Sequence, residues 1–348
     1  MKLLVSALEP SSNLHLREVL KHLDDVRLSG IFDRRIEQGT PLYDNSEMAV
    51  MGIVDALKKL PWYLRVASEM VELAGDADKV LLMDGSGFNL PLAKKIKSHY
   101  PDKPIIYYIL PQVWASRPGR IADLERYCDA LLGILPFETA LYPSGKARYV
   151  GHPLLDEITV TRDETTIQSD TVAFLPGSRL GEIHRLMPVF HHVRRHLADK
   201  RTLLVVPPHF NDEKIAELYG DIRSYEIVRS THEALRISEF AFICSGTATL
   251  EAALIGTPFV LAYIAKPFDY FIGSKLLKIQ EVGLANILLR RSGHAPLHEE
   301  LLQDAVTAEN LLRAYETTDR TSFAQSVQTL RNYLAHGSSR NVAKVLQT

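Results

Sequence analysis

Two junctions in the second half of the chain are built for anion chemistry. An apolar run from Thr171 to Leu175 ends in Pro176-Gly177-Ser178-Arg179, and a second, Phe240 to Cys244, ends in Ser245-Gly246-Thr247-Ala248-Thr249. Helical patterns follow both. Strand-to-helix turns of this kind offer backbone N–H groups to a phosphate, and the first adds a guanidinium. The pair suits a nucleotide diphosphate, with Gly177, Ser178, Arg179, Ser245, Gly246 and Thr247 as contacts. Either turn alone is also what ordinary turn geometry and N-capping would use.

The first half supplies carboxylates instead. Lys79 to Met83 ends at Asp84, and the first apolar run ends at Glu9, so each places an acid where a general base would stand. Asp84 could equally cap the helix that begins near Phe88, and Glu9 could be a loop carboxylate near a helix start. Leu110 to Arg117 is a further strand-to-loop junction, with Gln112 and Trp114 as candidates to line an acceptor pocket; the alternative is that Trp114 seals the sheet edge. His152, in Gly151-His152-Pro153, is a lone histidine beside proline, an arrangement more often structural than catalytic. His192 and His196 have helical spacing but no accompanying acid, and Arg194 and Arg195 would oppose a cation, so no metal is expected. No nucleophile elbow, Walker loop or dinucleotide fingerprint appears.

Positioning these residues requires an α/β scaffold. The chain has 348 residues, 46% hydrophobic and 24% charged, which is enough for two domains with separate cores. A net charge of −2 gives no global attraction for nucleic acid. Continuous apolar runs at Leu3–Leu8, Val26–Phe32, Val80–Met83, Ile105–Leu110, Ala130–Leu135 and Arg148–Val150 alternate with helical patterns, the signature of a parallel sheet covered on both faces. A second series runs through Val172–Leu175, Leu203–Pro207, Tyr225–Val228, Phe240–Cys244 and Phe259–Tyr263. The expected architecture is two doubly wound, Rossmann-like domains facing a cleft, residues 1–160 and 168–324. The polar segment Gly151–Asp170 is the expected linker. The tail from about His298 is helical in pattern, and a helix of about 325–348 is expected to pack back on the first domain. Cys128 and Cys244 read as buried, reduced thiols.

The segment Met48–Arg65 carries more apolar surface than one sheet face needs. Val50, Ile53, Val54 and Leu57 follow helical spacing, while Met51, Trp62 and Leu64 add apolar surface with Lys58, Lys59 and Arg65 alongside. Periodicity alone favours a core helix; the aromatics and cations favour a lipid-facing patch. No segment reads as a membrane span.

Taken in order, Ala49-Val50-Met51-Gly52, Leu110-Pro111-Gln112-Val113-Trp114-Ala115, Leu135-Pro136-Phe137-Glu138, Val150-Gly151-His152-Pro153, Leu175-Pro176-Gly177-Ser178-Arg179 and Ser245-Gly246-Thr247-Ala248-Thr249-Leu250-Glu251 closely resemble the lipid-A-disaccharide synthase family. The resemblance implies a GT-B glycosyltransferase fold and a metal-free, cofactor-free inverting transfer. Its implied substrates are UDP-2,3-diacylglucosamine and 2,3-diacylglucosamine 1-phosphate (lipid X). It also implies peripheral association with anionic lipid at the cytoplasmic face of the inner membrane, no nucleic-acid partner, and an oligomeric state left open. It gives Asp84 the base role with Glu9 as alternative, and places Ser11, Gln112, Trp114 and His152 on the acceptor side. Glu251 is expected at the ribose, and Asn286 matches a position near the donor. One departure stands out: the family usually has Gly-Glu-x-Ser-Gly-Asp where this chain has Leu8-Glu9-Pro10-Ser11-Ser12-Asn13. Two competing readings are a UDP-sugar epimerase of the same shape, which has no use for a greasy helix, and a nucleotide-sugar- or lipid-binding protein without chemistry.

Overall fold

The computed structural model describes residues 1–48, 53–159, 161–162, 169–208, 210–265 and 281–348, side chains 53–59 excepted. Among these, the chain divides into two compact units, Met1–Glu157 with Leu334–Thr348, and Ile158–Tyr333.

In the first unit, β1 (Lys2–Ala7), β2 (Arg27–Ile31), β3 (Lys79–Met83), β4 (Ile105–Tyr108), β5 (Ala130–Gly133) and β6 (Ala147–Tyr149) form one parallel sheet in the order β2-β1-β3-β4-β5-β6. The central strands are apolar at nearly every position because both faces are covered. On one side α1 (Pro10–Leu20) and the last helix, Ser338–Gln347, bury Leu16, Val19, Val342 and Leu346 against Leu3, Val5 and Leu81. On the other, α2 (Ile53–Asp76), α3 (Ser86–His99) and α4 (Arg120–Tyr127) bury Val66, Met70, Ala93, Ile96 and Leu124 against Leu4, Val80 and Leu82.

The expected linker is in part core of this unit. Gly151 to Leu155 are buried, and α5 (Pro153–Glu157) forms within the segment. Its Asp156 accepts from the N–H groups of Gly337 (2.7 Å) and Ser339 (2.9 Å), capping the last helix. Gly151 sits at φ +96° with the Ala335 carbonyl oxygen 2.6 Å from where a Cβ would lie, so only glycine fits this close approach.

In the second unit, β7 (Thr171–Leu175), β8 (Arg201–Val205), β9 (Glu226–Val228), β10 (Phe240–Cys244), β11 (Phe259–Tyr263) and β12 (Glu300–Leu302) form a parallel sheet in the order β12-β11-β10-β7-β8-β9. Packed with it are α6 (Leu180–His196), α7 (Asp212–Tyr219), α8 (Thr231–Ile237) and α9 (Thr247–Ile255). Phe174 stacks on Phe242 at 4.9 Å in its core. The helical reading of the tail fails at β12, whose three residues are too few to show a period. The helix Arg320–Tyr333 belongs to this unit, with Phe323, Val327 and Leu330 buried, and the chain rejoins the first unit at Leu334.

Each sheet reverses its winding once, between β1 and β3 in the first and between β7 and β10 in the second. Ligands of open α/β sheets bind beyond the carboxyl ends of the strands at such a point. Glu9 and Asp84 follow β1 and β3; the two Gly-Ser turns follow β7 and β10.

Candidate active site

In the first unit the register pairs Ala7 with Met83, which brings the exits of β1 and β3 side by side. Asp84 turns the chain with φ +48°, a left-handed conformation that aspartate tolerates better than most residues. The turn is held through its backbone: the N–H donates to Tyr108 O (3.0 Å), and the carbonyl accepts from Asn89 Nδ2 (2.9 Å) and from the Tyr107 hydroxyl. The N-cap of α3 is Gly85, not Asp84. Burial raises the Asp84 carboxyl above its ordinary value, while the Gly85 N–H and the charge of His15 work the other way. A carboxylate on a rigid turn with a raised affinity for protons is suited to be a general base.

Glu9 is the exposed N-cap residue of α1, without a capping bond from its side chain, and its charge reaches Tyr63 of α2. Ser11 is exposed in the same first turn. Asn13 is buried and structural. Its amide donates to Ala7 O and Glu9 O (both 2.9 Å), and its Oδ1 accepts from Asp33 N (2.7 Å). An ionised aspartate could not make the two donations, so the departure at this position trades a charge for a brace.

Gln112 is exposed, and Trp114 is half-buried, edge-on to Phe137 at 5.5 Å. Behind them lies Glu138, a residue sequence reasoning passed over within an apolar tag. It is buried, accepts from Leu135 N (3.2 Å) and faces the Trp114 indole; burial pushes its carboxyl up to about 7. His152 is not at the surface of this region. It is buried, its ring accepts from Leu154 N (3.3 Å), and desolvation pushes it down to about 3, so it is a neutral strut at the start of α5 rather than an acceptor contact.

Of the residues assigned to a lipid-facing patch, Val50 and Met51 lie outside the described residues, as do the side chains of Ile53, Val54 and Leu57. Trp62 packs inward between Tyr43 (5.4 Å) and Tyr63 (5.0 Å), against the core. Among the described side chains of α2, the large apolar ones that are exposed are Leu60 and Leu64, one turn apart and about half accessible. Among the described residues no helix is long and apolar enough to cross a membrane.

In the second unit the register pairs Leu175 with Ile243, so the two turns are neighbours. Gly177 sits at φ +95°, where a Cβ would lie 2.7 Å from Glu182 Oε2 and 3.3 Å from Cys244 Sγ. Arg179 is the N-cap residue of α6, and its Nη1 donates to Glu182 Oε1 (2.8 Å) while the side chain stays 80% exposed. The guanidinium is thus aimed by a buried acid one turn on and remains open to a ligand. Glu182 is the second residue sequence reasoning missed; its spacing of three from Arg179 on a helix start was the available signal.

Ser178, Gly246 and Thr247 are exposed and Ser245 is half-buried. Thr249 Oγ1 donates to Gly246 O (2.8 Å), fixing the turn at the start of α9. Glu251, on α9, is 3.3 Å from His232 Nε2. Asn286 departs from its expected place at the donor. It is buried, with Nδ2 donating to His298 O (3.0 Å) and Glu300 Oε1 (2.8 Å) and Oδ1 accepting from Leu297 N (2.8 Å) and His298 N (3.3 Å), so its amide is fully engaged within the fold.

Among known proteins, the fold matches a crystal structure of the kitacinnamycin glycotransferase (TM-score 0.60, 16% identity, 99% of this chain and 97% of that one). It matches a UDP-N-acetylglucosamine 2-epimerase from Rickettsia bellii equally well (TM-score 0.60, 12% identity, 100% and 96%). The architecture is GT-B, and by itself it does not separate transfer from epimerisation. The sequence does. A family model described as lipid-A-disaccharide synthetase matches residues 3–346, and the lipid-A-disaccharide synthase of Helicobacter pylori strain G27 is 48% identical over 354 residues, 98% of this chain and 96% of that protein. The chain belongs to the lipid-A-disaccharide synthase family. Membership makes it a glycosyltransferase of lipid A biosynthesis and sets the epimerase reading aside.

Proposed function

We propose that this protein joins UDP-2,3-diacylglucosamine to 2,3-diacylglucosamine 1-phosphate, giving the β-1,6-linked disaccharide 1-phosphate and UDP. Asp84 accepts the proton of the acceptor's primary hydroxyl as that oxygen bonds to the donor's anomeric carbon. The bond from that carbon to the diphosphate oxygen breaks, and the electron pair leaves with UDP. Arg179 and the N–H groups of the turns at Ser178 and at Ser245–Thr247 carry the charge that develops on the diphosphate. One displacement inverts the anomeric centre. The observation that carries this reading is the contrast between the two winding reversals: a half-buried carboxylate on a rigid turn at one, an exposed arginine and two exposed glycine-containing turns at the other.

Acylated substrates require the protein to meet a lipid surface. Exposed Leu60 and Leu64 beside Arg65 support peripheral docking on anionic lipid through the start of α2. Replacing Val50, Ile53 and Leu57 with serine is expected to release the protein from vesicles while preserving a cooperative melt; loss of the melt would mean that the segment is core.

The deciding assay is product formation from the two acylated glucosamines in mixed micelles with EDTA present, comparing wild type with Asp84→Ala. Disaccharide and UDP from the wild type alone support a metal-free transfer with Asp84 as base. Equal activity in the variant moves that role to Glu9. A folded, UDP-binding wild type without product overturns the reading.

A further inference from the structure

The loop that leaves β4 ends in two cations that the reaction as written does not use. Arg117 is exposed and stands at φ +55°, a left-handed conformation uncommon for a residue with a long side chain. Its carbonyl accepts from Arg120 N (3.1 Å), so a single turn brings the two residues together at the start of α4. Arg120 is half-buried, and its Nη1 donates to Ser86 Oγ (2.5 Å). Ser86 opens α3 two residues after Asp84, and Cα atoms at that separation are no more than about 7 Å apart. The Arg120 guanidinium is therefore fastened to the turn that carries the proposed base.

Neither guanidinium is neutralised. Among the described residues Arg17, Arg35, Arg179 and Arg313 each hold a carboxylate, whereas Arg117 and Arg120 pair with none, Asp84 included. The Ser86 hydroxyl occupies one of the five N–H donors of Arg120 and none of its charge. A half-buried cation in that state has lost part of its hydration without gaining a counter-ion, so an anion is favoured there. There is room for one: a Cβ built at Gly87, beside Ser86, or at Gly119, beside Arg120, would meet nothing within 4 Å. A planar guanidinium with open donors matches the oxygens of a phosphate. The proposed acceptor carries one, on carbon 1 of the sugar whose carbon 6 bears the attacking hydroxyl. Those two carbons' substituents flank the ring oxygen, so a receptor for the phosphate has to stand within one sugar ring of the base.

We propose that Arg120, seconded by Arg117, binds the 1-phosphate of the acceptor and sets the preference for a phosphorylated acceptor sugar. The inference rests on the proposed substrates and on Asp84 as base. A purely mechanical tie between α3 and α4 accounts for the Ser86 contact, yet that tie needs no charge and gives no reason for two unpaired arginines one turn apart.

The test compares 2,3-diacylglucosamine 1-phosphate with 2,3-diacylglucosamine as acceptors for the full chain in mixed micelles, with the same donor. The readout is the ratio of their kcat/KM values. Wild type is expected to prefer the phosphorylated acceptor by about tenfold or more, the worth of a hydrogen-bonded charge, and this ratio needs no variant to fold. Arg120→Gln is expected to lose most of the preference, and Arg120→Lys to keep part of it. Ser86→Ala removes the tie and leaves the cations, and is expected to retain the ratio within about threefold. A wild type without preference overturns the proposal. So does a folded Arg120→Gln protein that loses rate equally with both acceptors, as a mechanical tie or a lipid-headgroup contact would give, and so does a Ser86→Ala protein as indifferent as Arg120→Gln. Calorimetry of the two acceptors without donor gives the affinity ratio apart from chemistry. A wild type that makes no disaccharide is a failure of the proposed function, and the affinity ratio in wild type and Arg120→Gln still decides whether this arginine reads a phosphate.

Discussion

The two winding reversals are the same topological feature furnished in opposite ways. At β1 and β3 the strand exits carry ionisable side chains, and the backbone is tied up: Asp84 gives its N–H and carbonyl to Tyr108, Asn89 and Tyr107, and Asn13 occupies the carbonyls of Ala7 and Glu9. At β7 and β10 the side chains are small and the turn residues Ser178, Gly246 and Thr247 are exposed, with one guanidinium held by Glu182. Proton transfer needs a side chain whose affinity for protons is tuned by its setting, whereas a diphosphate needs several donors at fixed spacing, which backbone supplies without rotamer entropy. Topology selects where a ligand goes, and the three or four residues after each strand select what is done to it.

That contrast can be broken from either side. The largest effect is expected from Asp84→Ala, which should lower kcat by about 10²- to 10⁴-fold with UDP affinity unchanged by calorimetry; a matching loss of UDP affinity would erase the division of labour. Next comes Glu138, whose carboxyl is raised from 4.5 to about 7 by burial. A carboxyl raised in the folded state stabilises most when protonated, so its contribution is complete below pH 4.5 and is lost as pH climbs through about 7, a change of about 3 kcal/mol. Urea titrations at pH 5 and pH 8 should show this loss in wild type and a much smaller one in Glu138→Gln; parallel losses would place the titration elsewhere. Arg179→Ala should weaken UDP binding by about tenfold to hundredfold, the worth of a charge-assisted contact, with little change in the pH profile of turnover. The smallest effect belongs to Leu60→Ser with Leu64→Ser, expected to weaken partition onto anionic vesicles by about tenfold for two half-exposed leucines and to leave Tm unmoved.

The sheets were legible in the sequence because buried parallel strands are continuous apolar runs, and the strand exits were legible because Gly-Ser turns and a lone acid break those runs abruptly. β12 was not, since Glu300–Leu302 is too short to carry a period and its half-buried Glu300 accepts from Val282 N, Gly283 N and Asn286 Nδ2. The linker was placed too early for a related reason: Pro153–Glu157 looks polar at its end, yet Asp156 and Glu157 both find partners far along the chain, at residues 337 and 339 and at His15. Contacts of this span leave no local trace. The inward packing of Trp62 was hidden in the same way, because Tyr43, its edge-on neighbour, lies outside the helix whose periodicity was being read.

The return of the last fifteen residues to the first unit has a consequence for how the protein is made. Val342, Ala343 and Leu346 cover α1 and the sheet beneath it, and the Leu346 carbonyl accepts from Lys79 Nζ (2.8 Å). The first unit therefore cannot close its core until residues 334–348, which follow the whole of the second unit, have left the ribosome. Until then Leu16, Val19 and Leu20 keep the sheet on one side and lack Val342, Ala343 and Leu346 on the other, and the nascent chain carries that apolar gap through the synthesis of residues 158–333.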